Sequence, residues 1–295
     1  MSGYDVVLSR DSYLLAVELR LFWALAFAYG VAFIIYLFHL AVRSRGLGRA
    51  AQSLLWAAAF MHIALVIFRT FEAGMAPFQT LYESLSFVAV SVAVTYLFVS
   101  RRWKDVYLPG LFVSLLAAGA CFYALFSRSP AVAPLSPLLQ SRWYEWHAAS
   151  AFFSYAVFMV SAAVELSYLI ARAVLKRGQA NAWGLDSSTI EDFHAGSYRL
   201  SAFAFPLLTF SIFSGALWAG DAWGSYWSWD PKEVWSLITW TVFTVYLHSM
   251  TVPTLRRVPA TVFNIVGFIC VMMTFLGVGW LVRLLGLASL HINAA

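Results

Sequence analysis

Residues 260–281 read ATVFNIVGFICVMMTFLGVGWL, twenty-two positions without a charged side chain. A bilayer core about 30 Å thick is crossed by roughly 20 apolar residues in a helix rising about 1.5 Å per residue, so this stretch has the length and composition of a span. Working outward, seven more windows meet the same test: about 20–42, 52–69, 83–100, 106–126, 146–175, 197–219 and 232–252. Backbone polar groups in lipid must bond within their own segment, which a helix does and an isolated strand does not. The expected fold is therefore all-α: a polytopic integral membrane protein of about eight transmembrane helices, forming a single membrane domain over residues 1–295. The first and fifth spans are long and are expected to tilt or protrude. Composition agrees, with 62% hydrophobic and only 11% charged residues, less than half the charge of a soluble domain.

The net charge of +5 does not point to nucleic acid, because the basic residues fall in short loops between apolar runs. Twelve of the nineteen lie in 43–51, 101–105, 172–199 and 253–259, all on one side of an eight-span topology. The positive-inside rule places that side in the cytoplasm. Both termini then face outward, together with 70–82, 127–145 and 220–231. The stretch 176–199 reads as a solvated loop with a short amphipathic helix. The N-terminus lacks the basic, apolar and small-residue succession of a removable leader. Cys121 and Cys270 sit singly in apolar runs with no CxxC, so they are expected to pack rather than exchange disulfides.

One outward segment departs from the rest. Residues 223–235 read WGSYWSWDPKEVW, with four tryptophans and a tyrosine in thirteen positions. Asp230, Pro231 and Glu233 have the spacing of an N-cap, a first helical residue and the partner of a capping box, so a helix is expected to begin at Pro231. An interfacial aromatic belt accounts for one or two of the tryptophans. Four beside Tyr226 suit a shelf for a large, flat, apolar ligand with polar edges.

Haem belongs to that class and takes His or Met as axial ligands. Of the six histidines, His147 and His291 share the outward side with the aromatic segment. His248 lies about 25 Å into the seventh helix, in the inner half of the membrane. It and His62, deep in the second span, are functional candidates as intramembrane ionisable residues. His39 reads as an interfacial residue and His194 as a solvated loop residue.

These residues resemble a known family. WGSYWSWDPKEVWSLITWTVFTVYLH at 223–248 is similar to the tryptophan-rich WWD signature of cytochrome c biogenesis proteins, specifically the CcsA (ResC-like) branch of System II. PFQTLYESLSF at 77–87, WYEWHAASAFFSYA at 143–156 and the C-terminal GVGW and LASLH match in the family's order. The resemblance implies a WWD segment at about 220–240 and a pairing with a CcsB/ResB-like membrane protein. The pair delivers haem b, as substrate and ligand, across the bacterial cytoplasmic membrane. It then attaches that haem to the CxxCH cysteines of an apocytochrome c at the outer, periplasmic face. It further implies that His147 and His291 ligate the outer haem and that His248 ligates a haem in transit, with its second ligand coming from the partner. Trp223, Tyr226, Trp227, Trp229, Asp230 and Trp235 would form the haem-facing shelf. No residue is implied as an acid–base catalyst. The chain is then the haem-handling subunit of a haem-lyase-type synthase. Two other readings stay open: a haem-binding electron-carrier subunit, and a haem exporter without attachment activity.

Overall fold

The computed structural model describes residues 3–73, 76, 78–103, 106–127, 141–178, 185–286 and 289. Every regular element among them is helical. They fall into two compact units, Met1–Pro134 and Leu135–Ala295.

The first unit holds α1 (Gly3–Val42), α2 (Arg45–Ala73), α3 (Leu81–Ser100) and α4 (Leu108–Ser127). α1 packs against α2 and α4, and α3 packs against α4 and α2. Its interior is aromatic and aliphatic, with Phe22, Leu25, Tyr29, Tyr36, Leu55 and Tyr96 buried. A buried charge cluster lies beside them. Arg69 reaches Glu18 at 2.8 Å and Glu83 at 3.0 Å. Glu83 also closes the capping box of α3 with Thr80. Arginine meets two carboxylates here because an unpaired charge in this interior would be strongly unfavourable. His62, a functional candidate from sequence, is fully buried in this unit. Its ring nitrogens bond Tyr29 Oη at 3.1 Å and Ser86 Oγ at 2.9 Å, so it serves as a bridge between α1, α2 and α3.

The second unit holds α5 (Arg142–Lys176), α6 (Ser187–Trp223), α7 (Pro231–Thr251), α8 (Val258–Met272), a π-helical turn (Met273–Gly277) and α9 (Val278–Leu285). α5 and α6 form its most extensive seam. The buried face of α6 carries the small residues Gly196, Ser197, Ser201, Ala204, Ser211, Ser214 and Gly215. Small side chains let two backbones approach closely where no hydrophobic effect drives helices together in lipid. α6 is continuous from Ser187, which corrects the expected loop-and-short-helix reading of its first turns. Asp186 caps it by accepting from Thr189 N at 2.7 Å. At 37 residues it is about 55 Å long, more than the lipid core requires.

Among the described residues, seven helical stretches are long and apolar enough to cross a membrane: 13–42, 45–72, 81–100, 108–126, 142–176, 187–223 and 258–285. The chain is thus an all-helical polytopic membrane protein. α7 is not among the seven. Its 21 residues include Trp235, Trp240, Tyr246, His248 and several serines and threonines, so its mean hydropathy is lower, and the expected count of eight spans turns on this helix. Cys121 and Cys270 are buried and form no disulfide, consistent with packing roles.

His194, expected to be solvated, is buried instead. Its Nδ1 lies 2.9 Å from Glu165 Oε1 and its Nε2 lies 2.6 Å from the Arg256 carbonyl. Both ring nitrogens face oxygen acceptors, and the ring pairs with Glu165. Thr261 donates to Glu165 at 2.5 Å, and Ser197 donates to its other oxygen. Polarity alone does not separate a solvated loop from a helix across 176–199, and only the continuous helix carries His194 inward. Within one helix, His194 and Ser197 sit one turn apart and face α5 together.

Candidate functional site

The aromatic segment joins α6 to α7. α6 ends at Gly224, whose φ of 77° lies in the left-handed region and whose N–H bonds the Gly220 carbonyl at 3.1 Å. Glycine is the residue that takes this conformation without a Cβ penalty. Tyr226 folds back over Gly220, where a Cβ would stand 2.6 Å from its ring. Ser225 Oγ donates to the Trp227 carbonyl at 3.0 Å.

The expected capping box is present. Asp230 Oδ1 accepts from Lys232 N at 2.9 Å, and Glu233 Oε2 accepts from Asp230 N at 3.1 Å. Glu233 does more than close the box, because the same oxygen accepts Ser228 N at 2.8 Å. The two amides that flank Trp229 therefore converge on one carboxylate. Trp229 itself has a φ of 58°, a conformation that costs a non-glycine residue of order 1–3 kcal/mol and persists only when its surroundings impose it. The Glu233 clamp imposes it and turns the indole outward, where it is 69% exposed and edge-on to Trp227 at 5.8 Å. Tyr226 is likewise 66% exposed.

His147 sits in the second turn of α5. Its Nδ1 donates to the Ser211 carbonyl at 2.8 Å. The ring lies over Gly215, where a Cβ would fall 2.6 Å from Nδ1, and near-parallel to Trp218 at 6.0 Å. Trp218 meets Trp223 at 4.8 Å and Tyr144 at 5.2 Å. A continuous aromatic path therefore links His147 to the start of the tryptophan segment. On α5, Trp143 and Trp146 flank the histidine and are exposed.

The two ends of α7 differ. Trp235, in its second turn, is tied down through its carbonyl, which accepts from Thr239 Oγ1 at 2.8 Å and Thr274 Oγ1 at 3.1 Å. Thr274 belongs to the π-helical turn, a distortion that often marks functional regions. His248 lies in the last turn and is exposed. It continues a stripe of exposed residues, Ile238, Thr241 and Val245, at helical spacing.

Of the residues singled out from sequence, Trp223, Tyr226, Trp227, Trp229 and Asp230 share one loop, with Trp235 just inside the helix it leads into, and His147 reaches that loop through Trp218. His248 stands at the opposite end of α7. His291 lies outside the described residues. Sequence reading missed Ser211, Gly215 and Trp218, which seat His147. Their 211-215-218 spacing on one helical face, with small residues at the first two, was the available signal.

A family model described as cytochrome C assembly protein matches residues 78–285. The cytochrome c biogenesis protein CcsA of Chlamydomonas reinhardtii is 35% identical over 221 residues, covering 73% of this chain and 62% of that protein. CcsA of Synechococcus sp. strain CC9902 is 34% identical over 246 residues, covering 74% of this chain and 79% of its own length. Among solved structures, the cytochrome c haem lyase CcmF shares the fold with a TM-score of 0.62 at 17% identity, over 96% of this chain and 48% of that one. A membrane-embedded helical fold, the tryptophan-rich loop and these relatives agree, and the chain belongs to the cytochrome c assembly protein family, on its CcsA branch.

Proposed function

We propose that this chain carries haem b across the bacterial cytoplasmic membrane with a CcsB/ResB-like partner. At the outer face it presents the haem for thioether attachment to the CxxCH cysteines of an apocytochrome c. The observation that carries this reading is the path from His147 through Trp218 to Trp223. An imidazole and an aromatic loop joined in this way suit one flat substrate.

The donor chemistry suits haem. His147 gives its Nδ1 proton to a backbone carbonyl, so in the neutral ring the lone pair is on Nε2, the arrangement common to metal-ligating histidines. His291 is the second outer ligand in this reading. The exposed faces of Tyr226 and Trp229 offer flat contact to a porphyrin. Asp230 and Glu233 are both committed to backbone amides, so neither serves as a general base. The chain acts by holding and orienting its substrate while the thiols and vinyl groups react. His248, exposed at the far end of α7, is the inner ligand and is open to a second ligand from the partner.

The electron-carrier alternative needs a second in-membrane histidine, and His62 has both nitrogens engaged by Tyr29 and Ser86. Export without attachment uses the same ligands as the favoured reading. The test is cytochrome c maturation in cells carrying His147→Ala, His291→Ala or His248→Ala, with visible spectra of the purified complex. His147→Ala and His291→Ala should abolish maturation, with partial rescue by added imidazole. His248→Ala should remove a separate haem population. Full maturation with His147→Ala would overturn the ligand assignment, and haem transfer without thioether formation in the parent complex would favour export.

A further inference from the structure

We infer that α6 sets the orientation of His147 through two positioning elements, the Ser211 carbonyl and the bare backbone of Gly215, so that Nε2 is presented in one fixed ring plane. The inference rests on His147 being the outer haem ligand.

Three contacts define the seat. The Ser211 carbonyl takes the Nδ1 proton at 2.8 Å. The Ser211 hydroxyl donates back to the His147 carbonyl at 3.3 Å, tying the two helices at the same level. Gly215 forms the floor, since a Cβ there would lie 2.6 Å from Nδ1, 2.8 Å from Cε1 and 3.3 Å from Cγ. Those three atoms are one edge of the imidazole, so even a methyl group occupies the space the ring uses. Trp218 forms a wall nearly parallel to the ring, at 17°. Residues 211, 215 and 218 recur at one-turn spacing and so present a single face to α5.

The physical consequence is preorganisation. A histidine free to rotate offers either nitrogen and loses that freedom when it binds iron. A ring held by its Nδ1–H and by a floor without a side chain offers Nε2 alone. Glycine is required here for space, since its helical backbone conformation suits any residue. Gly215 shares the helix-approach role of the other small residues on this face of α6 and, in addition, leaves the space that the His147 ring occupies.

The test uses the full chain purified with its CcsB-like partner and haem b, read by visible and electron paramagnetic resonance spectra. His147→Gly opens a seat that free imidazole should fill, restoring a six-coordinate low-spin spectrum. Adding Gly215→Ala to that variant should weaken imidazole binding at least about tenfold, because the methyl group overlaps the seat. Gly215→Ala alone should convert the outer haem to high-spin while the haem bound at His248 is unchanged. If Gly215→Ala alone does not fold, the double variant still reports, since the ring that the methyl would strike is gone. Equal imidazole affinity in the single and double variants overturns the positioning role. An unaltered low-spin spectrum in His147→Gly overturns the ligand assignment itself, a distinct result.

Discussion

Replacing Glu233 by alanine removes the carboxylate on which the aromatic loop is clamped. Two backbone donors, Ser228 N and Asp230 N, lose their acceptor. A buried donor left unsatisfied costs about 1–3 kcal/mol, and a bond to a charged acceptor lies toward the upper part of the hydrogen-bond range. Ser228 is exposed and water replaces part of its loss, so the pair amounts to about 2 kcal/mol. The left-handed Trp229 contributes roughly 1 kcal/mol of strain that the clamp now restrains. Together the native loop loses about 3 kcal/mol relative to relaxed alternatives, roughly a hundredfold in population. A helix-capping role alone predicts about 1 kcal/mol and no change in the loop. Near-ultraviolet circular dichroism reports tryptophan asymmetry, and haem titration reports the shelf. Glu233→Ala should collapse the first and weaken the second by about two orders of magnitude. Glu233→Gln keeps one acceptor and should fall between. An alanine variant with parental dichroism and parental haem affinity would refute the clamp.

Three further outcomes are expected. Glu165→Ala removes the carboxyl that His194, Ser197 and Thr261 meet in the second unit and should destabilise the protein by about 3 kcal/mol, seen as a large drop in the detergent-solubilised melting temperature, with Glu165→Gln milder. Thr274→Val removes the hydroxyl that meets the Trp235 carbonyl and Thr239 and should cost about 1 kcal/mol, whereas Thr274→Ser should restore parental stability in the same melt. Thr189 and Ser188 hold the Asp186 carboxyl below its ordinary value, so the cap of α6 is intact above the usual aspartate range and is lost as pH falls through the lowered value. Hydrogen exchange over 187–190, corrected for intrinsic rate, should rise on acidification in the parent and be independent of that titration in Asp186→Asn, which keeps a capping side chain.

Much of the site was legible because it depends on local chemistry. Asp230, Pro231 and Glu233 announce a helix start by spacing alone, and α7 begins at Pro231. The crowding of tryptophans marks an aromatic loop, and two of its residues, Tyr226 and Trp229, are largely exposed. The burial of His194 is not legible in the sequence, for the opposite reason. A polar run of sequence hides whether it is loop or helix, and only its alignment along α6 brings His194 against Glu165.

Composition and periodicity by themselves determined that this chain is helical and membrane-spanning, because apolar length and backbone satisfaction in lipid leave few alternatives. They also determined the cap at Pro231 and the residues of the aromatic loop, since both reside within a dozen consecutive positions. Tertiary structure decided what the described histidines meet. His62 and His194 are engaged by residues 24 to 62 positions away, His248 is exposed, and His147 rests on a glycine 68 positions distant. A ring nitrogen has the same letter in the sequence whether it faces a carbonyl, a carboxylate or open space. Only the packing of one helix against its neighbours selects which of these it meets.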